Sequence, residues 1–166
     1  EGHTPFELTF DITLSIYNTF GVNYGLTQIA QWQPRPYDSD PVFLPGYPKI
    51  YEETYIPDDP EVDLHWGKMW GYIIPPVDGD YKFFSDSDGE GGAYFYLSTD
   101  DTRGNIPPQD NPTCTRDGAS PFITLEAGKA YYFEAMHKEI INTFFLEVEW
   151  IYPGGTQQRI TQPYLF

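Results

Sequence analysis

From Phe6 to Ile16 apolar and polar residues alternate without a break. Phe6, Leu8, Phe10, Ile12, Leu14 and Ile16 are interleaved with Glu7, Thr9, Asp11, Thr13 and Ser15. A helix repeats its faces roughly every 3.6 residues, so a period of two reads as a long strand with one face buried. Shorter apolar runs follow, each bounded by turn residues. Trp70 to Ile74 is stopped by Pro75 and Pro76, and Asp78-Gly79 launches Tyr81 to Phe84. Then come Ala93 to Ser98, Phe122 to Leu125, Ala130 to Lys138 after Ala127-Gly128, Phe144 to Ile151, and a last short run at Arg159 to Thr161 after Pro153-Gly154-Gly155. No window offers an amphipathic helix, and 15 Gly and 16 Pro would interrupt one. Many short strands separated by Gly/Pro turns imply an all-β fold: a two-sheet antiparallel β-sandwich with long loops at one end.

Two segments break this rhythm. Gln31 to about Pro60 is rich in Pro, Asp and Tyr and supports no long strand, which reads as a long loop or an edge excursion. Thr99 to Pro121 is a second polar, Pro-containing stretch. A length of 166 residues is most simply one domain spanning 1–166. The chain opens at Glu1 with neither Met nor signal peptide, and the expectation is a domain excised from a larger secreted or surface protein.

Charge narrows the function classes. The chain carries 25 Asp+Glu against 9 Lys+Arg, a formal net charge of -16. Nucleic acid is a poor partner for such a surface, because neutralising phosphates needs clustered Lys and Arg. Anionic lipid is disfavoured on the same ground, and no run of apolar residues reaches the ~18 of a membrane span. An aromatic content of 18% argues against a disordered acidic tail. Cys114 is a single cysteine without a disulfide partner, and His3, His65 and His137 are scattered, which speaks against zinc. What remains is a folded acidic domain suited to a cation or a neutral polar ligand.

Several motifs occur in order. They are Gly79-Asp80-Tyr81-Lys82-Phe83, Ser87-Asp88-Gly89, Tyr96-Leu97-Ser98-Thr99-Asp100, Ile123 to Ala135 (Ile-Thr-Leu-Glu-Ala-Gly-Lys-Ala-Tyr-Tyr-Phe-Glu-Ala), His137-Lys138-Glu139 and Leu146 to Trp150. This succession resembles the protective-antigen type domain, the PA-fourteen family, most strongly over 66–160. The resemblance implies a two-sheet sandwich of the kind found in adhesins, flocculins, glycosidases and toxins. Members most often bind carbohydrate through calcium, held by two consecutive aspartates and a second loop, with glycan hydroxyls completing the shell. Calcium takes six to eight oxygen ligands, so a half-open site can accept two hydroxyls of a neutral sugar.

Both loops depart from the family pattern. In the first, Asp88 precedes Gly89 and no consecutive Asp pair follows the Gly79 strand; Asp86 and Asp88 flank Ser87, with Glu90 beyond. These carboxylates can converge on a cation or stand as a solvated acidic turn. The second loop is Glu139-Ile140-Ile141-Asn142-Thr143, and the family's usual ligand position falls on Phe144. Asp86, Asp88 and Asn142 are thus the candidate metal ligands. Asp88, Gly89, Asn142 and Thr143 are the candidate sugar-binding residues, with calcium as the implied cofactor. Asp58-Asp59 and Asp100-Asp101 read as turn residues. Trp32, Tyr37, Trp66 and Trp70 fit either a core or a sugar-stacking platform, whereas Tyr131, Phe133 and Trp150 read as core.

The expectation is therefore an extracellular, non-catalytic, lectin-like module of an adhesin or surface protein. Its partners would be a glycan or cell-surface polysaccharide and the neighbouring domains of a longer chain. The alternative is a structural or protein-interaction sandwich that has lost the metal and sugar site.

Overall fold

The computed structural model describes residues 25–31, 42–43, 49–51, 53–56, 66–87, 92–138 and 145–166. The alternating stretch Phe6 to Ile16 lies outside them. Among the described residues the chain is an all-β two-sheet sandwich, and the sequence runs reappear as its central strands. Seven strands build one sheet. They are β1 (Gly25–Gln31), β2 (Val42–Phe43), β3 (Lys49–Tyr51), β5 (Trp66–Ile73), β7 (Ala93–Leu97), β8 (Cys114–Thr115) and β10 (Tyr131–Lys138). Their order is β2-β1-β5-β10-β7-β8, with β3 also on β1. The second sheet has five, β4 (Tyr55–Ile56), β6 (Gly79–Ser87), β9 (Ile123–Leu125), β11 (Leu146–Ile151) and β12 (Gln158–Arg159), in the order β12-β11-β6-β9 with β4 on β11. Every pairing is antiparallel.

Within the Pro-rich stretch from Gln31 to Pro60 the described residues include short strands that the composition does not indicate. These are β2, β3 and β4, each two or three residues long and each held by a longer neighbour rather than by its own propensity. A short 3-10 turn at Arg103–Asn105 and the strand β8 likewise interrupt the polar segment after β7.

The core lies between the sheets and grades along the strands. On β6 the inward residues run Tyr81, Phe83, Ser85, Ser87; on β10 they run Tyr131, Phe133, Ala135, His137. On β11, read in the same direction, they are Trp150, Val148 and Leu146. One end is therefore packed with rings, Trp150 lying 5.3 Å from Tyr81 and Phe83 stacking 5.1 Å from Phe95. The other end carries the smaller and polar side chains Ser85, Ser87, Ala135 and His137 beside Val148 and Leu146.

Alternation fails on β5 and β10, and this failure has a structural reason. The outward residues Trp70, Tyr72, Tyr132, Glu134 and Met136 are buried too. The segment 99–112 crosses that outer face, with Ile106 packing against both the Trp70/Tyr72/Tyr132 group and the Tyr96/Met136 group. Beyond Trp70, where β1 ends, the C-terminal residues take its place beside β5. The Phe166 N–H donates to the Tyr72 carbonyl at 2.9 Å, and the Ile74 N–H donates to the Tyr164 carbonyl at 2.9 Å. Among the described residues no helix is long and apolar enough to cross a membrane.

Candidate functional site

Strand register brings the strand ends that flank the two nominated segments to one end of the sandwich. Ser87, the last residue of β6, pairs with Leu146, the first of β11. Across the core His137 pairs with Ala93, the first residue of β7. The segments 88–91 and 139–144 thus leave from and return to four neighbouring strand ends, at the small, polar end of the core. Gly92, where the first segment rejoins β7, has a φ of 81, a left-handed backbone that favours glycine. Asp88, Gly89, Asn142 and Thr143 all belong to these two segments and lie outside the described residues, as do Ile140, Ile141 and Phe144.

Asp86 is described, and it is a strand residue. Its side chain is on the outer face of the five-stranded sheet and 63% exposed, opposite Glu147 of β11. Its Oδ1 accepts the Ser87 N–H at 2.8 Å and lies 3.7 Å from Arg116 Nε. Arg116 follows β8, so this contact ties the two sheets together at the loop end. Ser87 points the other way, into the core, and its hydroxyl has no hydrogen-bond partner among the described residues. Ser85, one layer below, accepts the Cys114 thiol at 3.8 Å. Burial pushes that thiol up to about 11. His137 is fully buried, in keeping with a structural role.

As donors, the carboxylates of Asp86 and Asp88, the amide of Asn142 and the hydroxyl of Thr143 are all hard oxygens, and this set fits calcium in kind. Among the described residues no group of three or more His, Cys, Asp and Glu stands ready to hold a metal.

Of the other acid pairs and aromatics, Asp100 and Trp70 resolve toward structure. Asp100 caps its own turn, its Oδ1 accepting the Thr102 N–H and its Oδ2 the Asn105 side-chain amide, each at 2.8 Å. These bonds hold its carboxyl below the usual carboxylate range. Trp70 is wholly buried against Tyr72 and Tyr132 and belongs to the packing, not to an exposed platform. Asp58, Asp59, Trp32, Tyr37 and the Trp66 side chain lie outside the description.

One charged constellation was not singled out in the sequence. Glu134, on the outer face of β10, is 6% exposed. It accepts Lys68 Nζ on Oε2 at 2.7 Å, and on Oε1 both Arg103 Nε and the Tyr132 hydroxyl, each at 2.8 Å. Burial alone would raise the Glu134 carboxyl, but the Lys68 and Arg103 charges outweigh it and hold it below its ordinary value. Lys68 shares that one carboxylate with Arg103, so burial wins there and its ammonium is lowered. The available signal was a run apolar on both faces, Tyr131 to Met136, interrupted by one acid.

No protein-family model and no curated protein matches the sequence. Solved structures do match in fold. An anti-sigma factor domain-containing protein from Clostridium clariflavum superposes with a TM-score of 0.62 at 17% identity, over 87% of this chain and 48% of that one. The PA14 sugar-binding domain of an RTX adhesin gives 0.52 at 12% identity, over 84% of this chain and 95% of that one. The Epithelial Adhesin 9 A domain from Candida glabrata, solved with Galb1-3GlcNAc, gives 0.50 at 13% identity, over 90% of this chain and 76% of that one. The chain spans about half the length of the anti-sigma structures it matches. Strand order and these likenesses together establish that the chain adopts a PA14-like β-sandwich fold.

Proposed function

We propose that this chain is a carbohydrate-binding module which holds neutral glycans through calcium, outside the cell, as one part of an adhesin or surface protein. The observation that supports this reading is the pairing of Ser87 with Leu146 and of His137 with Ala93, at the strand ends that flank the segments holding Asp88 and Asn142. In it Asp88 is the principal carboxylate ligand, Asp86 and Asn142 add oxygens, Gly89 lets the backbone come close, and Thr143 meets the sugar. Calcium supplies open coordination positions for two vicinal hydroxyls. The Galb1-3GlcNAc bound in the Epithelial Adhesin 9 structure and the sugar-binding name of the RTX adhesin domain support a sugar as the occupant. A net charge of -16 favours a cation and disfavours anionic polymers. The reading is of a binder and not an enzyme: Cys114 is a buried, protonated thiol and His137 is enclosed in the core.

A second reading has its own support. Asp86 is already engaged by the Ser87 N–H and Arg116, and the anti-sigma structures superpose with the higher TM-scores. A protein-interaction sandwich without a metal fits both facts. Thermal unfolding with and without calcium separates the two. A ligand bound only by the folded state raises the unfolding free energy by RT ln(1 + [L]/Kd), about 2.7 kcal/mol at a hundredfold excess over Kd. The lectin reading expects an upward shift in millimolar calcium, lost in Asp88→Ala. No shift in the wild type would leave the interaction module.

A further inference from the structure

We propose that the segment 99–112 is a strap latched over the outer face of the seven-stranded sheet by Glu134, and that acid releases it while the sandwich stays folded. The strap lies on a second apolar layer made by Trp70, Tyr72, Tyr96, Tyr132 and Met136. Its two ends are tied by backbone. The Tyr132 N–H donates to the Asp100 carbonyl at 2.8 Å, and the Thr113 N–H donates to the Phe95 carbonyl at 2.8 Å. Between these hinges the attachments include Ile106, the Ser98 hydroxyl on the Thr102 carbonyl at 2.8 Å, the Tyr96 hydroxyl on the Gln109 carbonyl at 3.1 Å, and Arg103 on Glu134. Arg103 supplies the charged one.

The chemistry of the latch is asymmetric. One buried carboxylate is shared by two cations, Lys68 from β5 and Arg103 from the strap, and by the Tyr132 hydroxyl. The other titratable groups around it are Tyr72, whose ring is 5.6 Å from that of Tyr132, and Asp101, which acts on Tyr72. Both tyrosines are held neutral, since burial raises their hydroxyls. When Glu134 takes up a proton, Lys68 and Arg103 lose their common counter-charge and oppose each other across a buried layer. Lys68 is fixed within a central strand. Arg103 is 47% exposed and sits on a surface turn, so it is the group that can move into water.

Sign and pH window follow from Glu134. Its carboxyl is held below its ordinary value of 4.5 in the folded chain. The latch is therefore complete above that value and is lost as pH falls through the lower, folded one.

Hydrogen–deuterium exchange of the intact chain on a descending pH series tests this, with rates corrected for intrinsic exchange. The amides of Asn105, Ile106 and Asn111 report the strap, and those of Phe133 and Ala135 report the sheet. The expected result is that strap amides lose protection about tenfold or more as pH falls below the ordinary carboxyl value of 4.5, while β10 amides remain protected. Arg103→Gln, a change at a half-exposed site, should produce the same strap exchange at neutral pH. Strap amides that open only together with those of β10, or an Arg103→Gln strap as protected as wild type, would overturn the proposal.

Discussion

The Thr54 hydroxyl donates to the carbonyl of Val148, a residue 94 positions later in the chain. It also accepts the Ile160 N–H at 3.1 Å, while the Thr54 backbone accepts the Val148 N–H at 3.0 Å. One buried threonine thus joins the Pro-rich stretch, β11 and the C-terminal segment. Val has nearly the same shape without the hydroxyl. Thr54→Val should lower stability by about 1–3 kcal/mol, since it leaves buried main-chain groups without their partner. Urea unfolding checks this, with a lowered midpoint and unchanged slope as the expected pattern.

Gly71 is pressed against the C-terminal residues. A Cβ built there would stand 2.5 Å from the Phe166 carbonyl oxygen, a backbone atom that accepts the Tyr72 N–H and can give way only by moving the terminal segment. Gly71→Ala should cost about 1–3 kcal/mol through overpacking. Limited proteolysis should then cut the last residues, 160–166, faster than in wild type, with β10 and β11 cut no faster.

Lys68→Met would keep most of an unbranched buried side chain and remove one of the two cations serving Glu134. The carboxyl then loses part of what holds it low, so its folded value moves up. A depressed carboxyl stabilises the fold above its unfolded value and ceases to do so as pH falls through its folded one. The acid transition of Lys68→Met should therefore begin at a higher pH than that of wild type. Circular dichroism along a pH series reads the displacement, and a transition moved to lower pH would contradict this account of the pair.

Cys114 should resist alkylation. Its thiol is buried and pushed up to about 11, so the thiolate is scarce at neutral pH. Iodoacetamide at about pH 8 should label the native chain far more slowly than the urea-unfolded one, with the rate following unfolding.

Much of the fold was legible because its central strands are long and bounded by turn residues. Tyr131, Phe133 and Trp150 read as core from their alternating strands, and all three are buried. The strands β2, β3 and β4 were not legible, because two or three residues beside prolines carry no periodic signal and are ordered by their neighbours. On β10 alternation misleads, since the strap buries the second face and Glu134 finds its partners in Lys68 and in Arg103, 31 positions away. For the candidate site, residue type was readable but orientation was not. Asp86 proves to be a strand residue facing outward beside Arg116, which depends on where β6 ends.

The central claim is that a calcium ion at the loop end holds a glycan. A glycan array probed in millimolar calcium, then in excess chelator, tests it most directly, with Asp88→Ala alongside. The account predicts binding to a neutral glycan that chelator abolishes and that the variant lacks. Binding that survives chelation, or a wild type that binds nothing on the array in calcium, would contradict it.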